Sequence, residues 1–257
     1  MNTINYTENK ENKSAILEIN RPQQLNALNN QVIDELHNQL VLLENNQNIR
    51  SIIITGSGDK SFVAGADIKE FQNFNKEEAL KLSQSGKNKL FDKISNYTKP
   101  VIGAINGYAL GGGLELALAS HIRVASATAK IGLPECSLGL IPGYSGTQKL
   151  TQIVGLNRAM EMILTAKIIS AEEAFQMGII NHVVSQEKVI PKCLEIARKF
   201  HATSRESLAA AIKSINSAYL LNGDDIETEE FGQLFETEGF KEGVSAFLEK
   251  RKPIFNK

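Results

Sequence analysis

Tryptophan is absent from this 257-residue chain, and cysteine and proline are scarce, at two and six residues. Two cysteines, Cys136 and Cys193, exclude a disulfide framework and a thiolate zinc site. The four histidines, His37, His121, His182 and His201, are scattered without the H-x-x-x-H or H-E-x-x-H spacing of a metal helix, so no metal is expected. Charge of one sign is missing too. Lys plus Arg total 28 against 29 for Asp plus Glu, a net charge of −1, which argues against a dedicated nucleic-acid surface. No apolar run reaches the ~18 residues of a membrane span. Met1 to Glu8 contain neither the apolar stretch of a secretory leader nor the basic character of a transit peptide. The expectation is a protein of a reducing, cytoplasmic compartment that binds neither membrane nor nucleic acid.

What the chain does contain is an ordinary globular mixture, 42% hydrophobic and 22% charged. Its length suits one large domain, or one with a small appendage. Ser14 to Ile19 reads as a strand. Val32, Ile33, Leu36, Leu40 and Leu43 then recur at helical spacing behind Asn29 or Asn30 as N-cap. Ile52 to Thr55 is a buried strand stopped by Gly56 to Asp59, and a polar helix is expected from about Asn75 to Tyr97, ahead of Pro100. Val101 to Ile105 and His121 to Val124 read as further strands flanking a helix at Leu114 to Ala119. This alternation predicts an α/β fold with a mainly parallel sheet. Ser170 caps a helix over Ala171 to Met177, and from there the pattern is nearly all helical. A boundary is expected near residue 200, with an α/β core over 1–199 and helices over 200–257.

Two familiar signals fail. Thr55-Gly56-Ser57-Gly58-Asp59-Lys60-Ser61 imitates a phosphate-binding loop, but Asp59 precedes the Lys and Ile54 stands at the earlier glycine position. Gly143 to Thr147 imitates a nucleophile elbow, but Thr147 occupies the place of its second Gly.

Two stretches remain. One is Ser61 to Glu70, small residues just after a buried strand. The other runs from Asn106 through Gly111-Gly112-Gly113 and Glu115 to Leu133-Pro134-Glu135. Three glycines opening a helix let a ligand approach the backbone, and the first N–H groups of that helix lack internal partners. Such a place suits developing negative charge, although a tight turn with close helix packing explains the glycines equally well. Glu115 lies inside the apolar run Leu114 to Ala119, where a carboxylate needs a partner or a purpose. With Glu135, it allows one carboxyl to handle water and the other to move a proton to carbon, work that contributes ~10²–10⁴ in rate.

These motifs resemble the crotonase superfamily, and within it the short-chain enoyl-CoA hydratases. The resemblance runs from Asn20-Arg21-Pro22 and Leu25-Asn26-Ala27-Leu28 to the tail Ala246 to Pro253. It is most specific at Ala64 to Glu70, Gly107 to Glu115, Pro134-Glu135, and Ile141 to Gln148. It implies a ClpP-like fold of repeated ββα units in a spiral core, with a C-terminal helical trimerisation region. It also implies reversible syn hydration of a trans-2-enoyl-CoA to a (3S)-3-hydroxyacyl-CoA, in fatty-acid or short-chain acyl-CoA metabolism. No cofactor is expected beyond the CoA carried by the substrate.

By the same resemblance the N–H groups of Ala66 and Gly112 hold the thioester oxygen, Glu115 activates water, and Glu135 protonates the α-carbon. The CoA moiety is expected along Ala64, Ala66, Asp67, Ile68, Lys69 and Gly112, with Phe247 and Lys250 contributed by a neighbouring subunit of a trimer or dimer of trimers. The basic run Lys250-Arg251-Lys252 would suit phosphates, or simply end a helix. Two departures from the family pattern stand out. Gln23 replaces a common Lys, which would remove a phosphate contact. Ser145 replaces a Gly, which would narrow or repolarise the acyl pocket. Cys136 reads as a packed residue. The alternatives are another crotonase activity, such as enoyl-CoA isomerisation or branched-chain hydration, and a non-catalytic RNA-binding protein on the same scaffold.

Overall fold

The computed structural model describes residues 2–255. Ten strands form two sheets. The larger contains β1 (Ile4–Asn9), β2 (Ser14–Ile19), β3 (Ser51–Gly56), β5 (Val101–Ile105), β7 (Ile122–Ser126) and β10 (His182–Val184), in the order β1-β2-β3-β5-β7-β10. Only the β1–β2 hairpin is antiparallel; the other pairs are parallel, with Ile52 opposite Val101 and Ile102 opposite Ile122. The smaller sheet contains β4 (Ser61–Val63), β6 (Tyr108–Leu110), β8 (Lys130–Gly132) and β9 (Ile168–Ser170), with β9 antiparallel at its edge. Three successive units, beginning at β3, β5 and β7, therefore run from a strand of the large sheet to one of the small sheet and then to a helix. This is the ββα repeat expected of the fold.

Burial on both faces explains the apolar strands. Ile52 and Ile54 of β3 enter the main core, whereas Ile53 faces Val189, Cys193, Ile196 and Ala197 on the opposite side of the sheet. Those last four residues belong to α8 (Val189–Lys199). On the main-core side, α1 (Asn30–Glu44) buries all five of its periodic apolar residues, and its cap is Asn29, which accepts from Val32 N–H at 2.9 Å.

The structure differs from the sequence expectation in three places. The second sheet was not anticipated, because strands of three residues are too short to show a period. The stretch after residue 170 is not all helical either, since β10 adds to the large sheet. The helix expected over 75–97 is present without a break from Lys76 to Ser95, but it is not uniform: α2 (Lys76–Gly86) passes into a wide π turn at Lys87–Phe91 and then α3 (Asp92–Ser95). The extra residue of that turn shifts the helix face, so that the mostly exposed α2 gives way to buried Leu90, Phe91 and Ile94.

The remaining helices are α4 (Gly112–Ala119), α5 (Gly146–Val154), α6 (Leu156–Leu164), α7 (Ala171–Gln176), α9 (Arg205–Asn216), α10 (Gly223–Leu234) and α11 (Glu238–Leu248). The last three bury little of their own apolar surface. Ile215, Leu221, Phe231, Phe247 and Leu248 are all exposed. Among the described residues no helix is long and apolar enough to cross a membrane.

Candidate active site

The centre of the site is the start of α4. Gly111 sits at φ +52°, a conformation natural to glycine, and turns the chain from β6 into the helix. Gly113 then passes so close to β4 that an added Cβ would lie 1.9 Å from the Val63 carbonyl oxygen. The glycines thus serve packing and approach together. No side chain caps this helix. The Gly112 N–H, at its first position, has no partner within the helix. Ala66 lies directly opposite: a Cβ placed on Gly112 would be 3.5 Å from the Ala66 nitrogen. The backbone either side of Ala66 is pinned, because Leu28 N–H donates to the Gly65 carbonyl and Asp67 N–H to the Leu28 carbonyl, at 2.8 and 2.7 Å. Ala66 and Gly112 are therefore neighbours, on backbone that the Leu28 bonds hold in place.

Two carboxyl groups face this pair. Glu115, 1% exposed, is the only charged residue of α4. Its Oε1 accepts from Tyr144 N–H at 2.7 Å and from Gly146 N–H at 2.8 Å. Burial pushes its pKa up to about 7, against the pull of those two donors and with help from the nearby Glu135. Glu135 follows β8 on a short 3₁₀ turn, Pro134–Leu138, and burial raises its pKa also. Its Oε1 lies 2.8 Å from where a Gly111 Cβ would stand, and its buried Oε2 has no hydrogen-bond partner. Burial thus holds both carboxyls towards their neutral form, opposed at Glu115 by the Tyr144 and Gly146 N–H groups and at Glu135 by its own backbone N–H.

Ala66, Gly112, Glu115 and Glu135 all line one cavity of about 520 Å³. Its walls are mostly apolar, with Phe71, Leu80 and Leu82 on one side and Leu140, Ile141 and Tyr144 on the other. An apolar cleft with a few convergent polar groups is the ordinary form of a small-molecule site.

The expected site residues divide into three groups. Ala64, Ala66, Ile68, Gly112, Glu115 and Glu135 all line this cavity. Asp67 and Lys69 do not. The Asp67 carboxylate is paired with Arg21 at 2.9 Å, which ties the first motif to the second, and Lys69 is exposed beside it. Phe247 and Lys250 lie at the end of α11 on the outer surface, away from the cavity of their own chain. Within the basic run, Arg251 is held by Glu242 and Glu249, leaving Lys250 and Lys252 as its available cations.

Ser145 does not narrow the cavity. It adopts a left-handed conformation at the start of α5, φ +76°, and the wall there is made by Gly143 and Tyr144. Its backbone instead aims the N–H groups on either side of it at Glu115, as successive amides do in an anion-binding nest. Tyr144 and Gly146, the direct holders of Glu115, were not identified as functional from the sequence. Their signal in the sequence is their place within Ile141 to Gln148, one of the stretches that carry the family resemblance. Cys136 packs against the main core as expected.

A family model described as enoyl-CoA hydratase/isomerase matches residues 9–257. A short-chain-enoyl-CoA hydratase of Clostridium acetobutylicum is 41% identical over 255 residues, covering 98% of this chain and 97% of its own. A crotonyl-CoA hydratase of Syntrophomonas wolfei is 42% identical, covering 96% and 95%. Among solved structures, an enoyl-CoA hydratase from Bacillus anthracis superposes with a TM-score of 0.89 at 34% identity, covering 99% of each chain.

Proposed function

The chain belongs to the enoyl-CoA hydratase/isomerase family, and from that premise we propose that its cavity performs the hydro-lyase reaction, adding water reversibly to trans-2-enoyl-CoA to give (3S)-3-hydroxyacyl-CoA. The reaction belongs to fatty-acid or short-chain acyl-CoA metabolism. The observation that carries the site assignment is the pairing of two pKa-raised carboxyls with two adjacent N–H groups at an uncapped helix start.

In this reading the thioester oxygen accepts from Ala66 and Gly112, and Glu115 and Glu135 flank the α- and β-carbons. Ionised Glu115 takes a proton from water as the water oxygen bonds to the β-carbon. The π electrons move towards the thioester oxygen, where the N–H pair stabilises the enolate by about 3 kcal/mol per donor. Glu135, in its acid form, gives its proton to the α-carbon. Proton exchange between the two carboxyls restores the starting state. The division of labour is the one the family resemblance implies, and burial, which raises the pKa of both carboxyls, keeps a proton available at the pair.

The CoA nucleotide is assigned to the backbone at Ala64, Ala66 and Ile68, with Lys250 and Phe247 completing the site from a neighbouring copy. Exposed apolar side chains on α9–α11 support a homo-oligomer, a trimer or dimer of trimers, built through residues 200–257, with 1–199 as the catalytic body. Two free cysteines fit a cytoplasmic location.

The test is loss of the conjugated enoyl-thioester absorbance when purified protein meets crotonyl-CoA. Glu135→Gln should lower kcat by ~10²–10⁴ while CoA-ester affinity stays nearly the same, since it removes a proton and not a contact surface. Normal turnover in that variant would remove Glu135 from the mechanism. Isomerised enoyl product without hydration would assign the site to isomerisation instead.

A further inference from the structure

Beyond the two carboxyls the cavity ends on an aromatic wall. Tyr144 is 6% exposed, and its ring stacks on Phe91 with centroids 4.5 Å apart and planes inclined by 12°. Phe91 closes the π turn, so the irregular winding there sets the position of the stack. Gly86, at the end of α2, lies against the same ring, and a Cβ added to it would be 2.6 Å from Tyr144 Cε1. The ring is thus clamped between a neighbouring aromatic and a backbone with no side chain. Its own N–H bonds to Glu115, which fixes the wall relative to the reacting carbons.

Tyr144 shares the cavity with Ala66, Gly112, Glu135 and Glu115, and the 2.7 Å bond from its N–H ties it to Glu115. With a thioester oxygen at the N–H pair and C2–C3 between the carboxyls, carbons from C4 onward point towards that ring. The adjoining stretch of wall is softer, because Leu138, Leu140 and Ile141 are exposed on a loop containing left-handed Gly139. We infer that Tyr144, locked by Phe91 and Gly86, sets acyl-chain length in this enzyme, admitting short enoyl chains and colliding with long ones. The inference rests on the hydratase reading for the placement of the thioester.

The experiment compares kcat/KM for crotonyl-CoA and trans-2-octenoyl-CoA in the unmodified protein and in Tyr144→Ala, Tyr144→Leu and Tyr144→Phe. Dissociation constants for the saturated butyryl- and octanoyl-CoA accompany it. Ratios are read because any loss from disturbing Glu115 acts on both esters alike. The octenoyl-to-crotonyl ratio should rise about tenfold or more in Tyr144→Ala, less in Tyr144→Leu, and stay unchanged in Tyr144→Phe. Octanoyl-CoA affinity should tighten in the same order. An unchanged ratio in the alanine variant would overturn the inference, as would an equal rise in the phenylalanine variant. Should the alanine variant fail to fold, the leucine variant decides by the same ratio. If the unmodified protein hydrates neither ester, the hydratase reading fails, and the octanoyl-to-butyryl binding ratio still judges Tyr144 by itself.

Discussion

Two helices of this protein begin in opposite ways. At α7, Ser170 accepts from the Glu173 N–H at 3.1 Å while the Glu173 carboxylate accepts from the Ser170 N–H at 2.8 Å. This is a reciprocal box that satisfies the helix end from within, and Asn75 and Glu78 do the same for α2. At α4 there is no cap; glycine stands where a serine or asparagine would serve stability, and the only acidic residue of the first turn is turned to other work. The capped ends contribute to folding and offer a ligand little. The uncapped end, with Gly111 at the cap, forgoes roughly a few tenths of a kcal/mol of stabilisation and leaves its donors without a side-chain partner. In the proposed hydration, the partner missing from the start of α4 is the thioester oxygen of the substrate.

The sharpest way to break this contrast is Gly112→Pro. Proline is accepted at the first position of a helix because the N–H it removes has no partner in the helix. There is room for it, since an added Cβ would meet Ala66 N and Leu28 Cδ1 at an ordinary 3.5 Å. The substitution should leave the fold intact by circular dichroism and lower kcat/KM for crotonyl-CoA by ~10²–10³, the cost of one oxyanion donor. Turnover at the unmodified rate would show that the open end of α4 is not used.

Glu115→Gln should give the next effect, and in stability its sign is favourable. A carboxyl whose pKa is raised by burial binds its proton more tightly folded than unfolded, so stability falls as pH rises from 4.5 to about 7. Glutamine removes that slope while its oxygen still accepts from Tyr144 and Gly146. Urea unfolding at pH 8 should show the variant more stable by about 3 kcal/mol, with the two proteins converging near pH 4, and its hydration rate should collapse. A variant less stable at pH 8 would show that Glu115 contributes to folding rather than burdening it.

Much of this was legible in the sequence, for reasons that differ by element. β2 and β5 were read to the residue because both are continuous apolar runs ended by turns. β6, β8 and β9 have three residues each and exist through their pairing, which no local pattern carries. Glu115 announced itself as a carboxylate in an apolar helix. Its two holders did not, because Tyr144 and Gly146 reach it across 29 and 31 residues through backbone atoms. The wall of Gly86, Phe91 and Tyr144 was invisible for the same reason. Asp67 looked like a binding residue because it sits in a binding motif, whereas its partner, Arg21, lies 46 residues away. Periodicity reports which face of an element is buried; it does not report what a buried polar atom will meet.

The smallest effect belongs to the capped end. In Ser170→Ala the Glu173 N–H loses its acceptor, and the Glu173 carboxylate loses the hydroxyl it accepts from at 2.9 Å. The cost should be about 1 kcal/mol, read as a lower urea midpoint with an unchanged slope at fixed protein concentration. Kinetics with crotonyl-CoA should not move, because β9 and α7 contribute nothing to the cavity wall. The pair of outcomes defines the contrast: Ser170→Ala loses stability and keeps activity, and Glu115→Gln does the reverse. If Ser170→Ala also slowed hydration, the two helix starts would be coupled through β8, which pairs with β9 and leads into Glu135. The division between structural and catalytic helix ends would then have to be replaced by a single unit running from the cap to the acid.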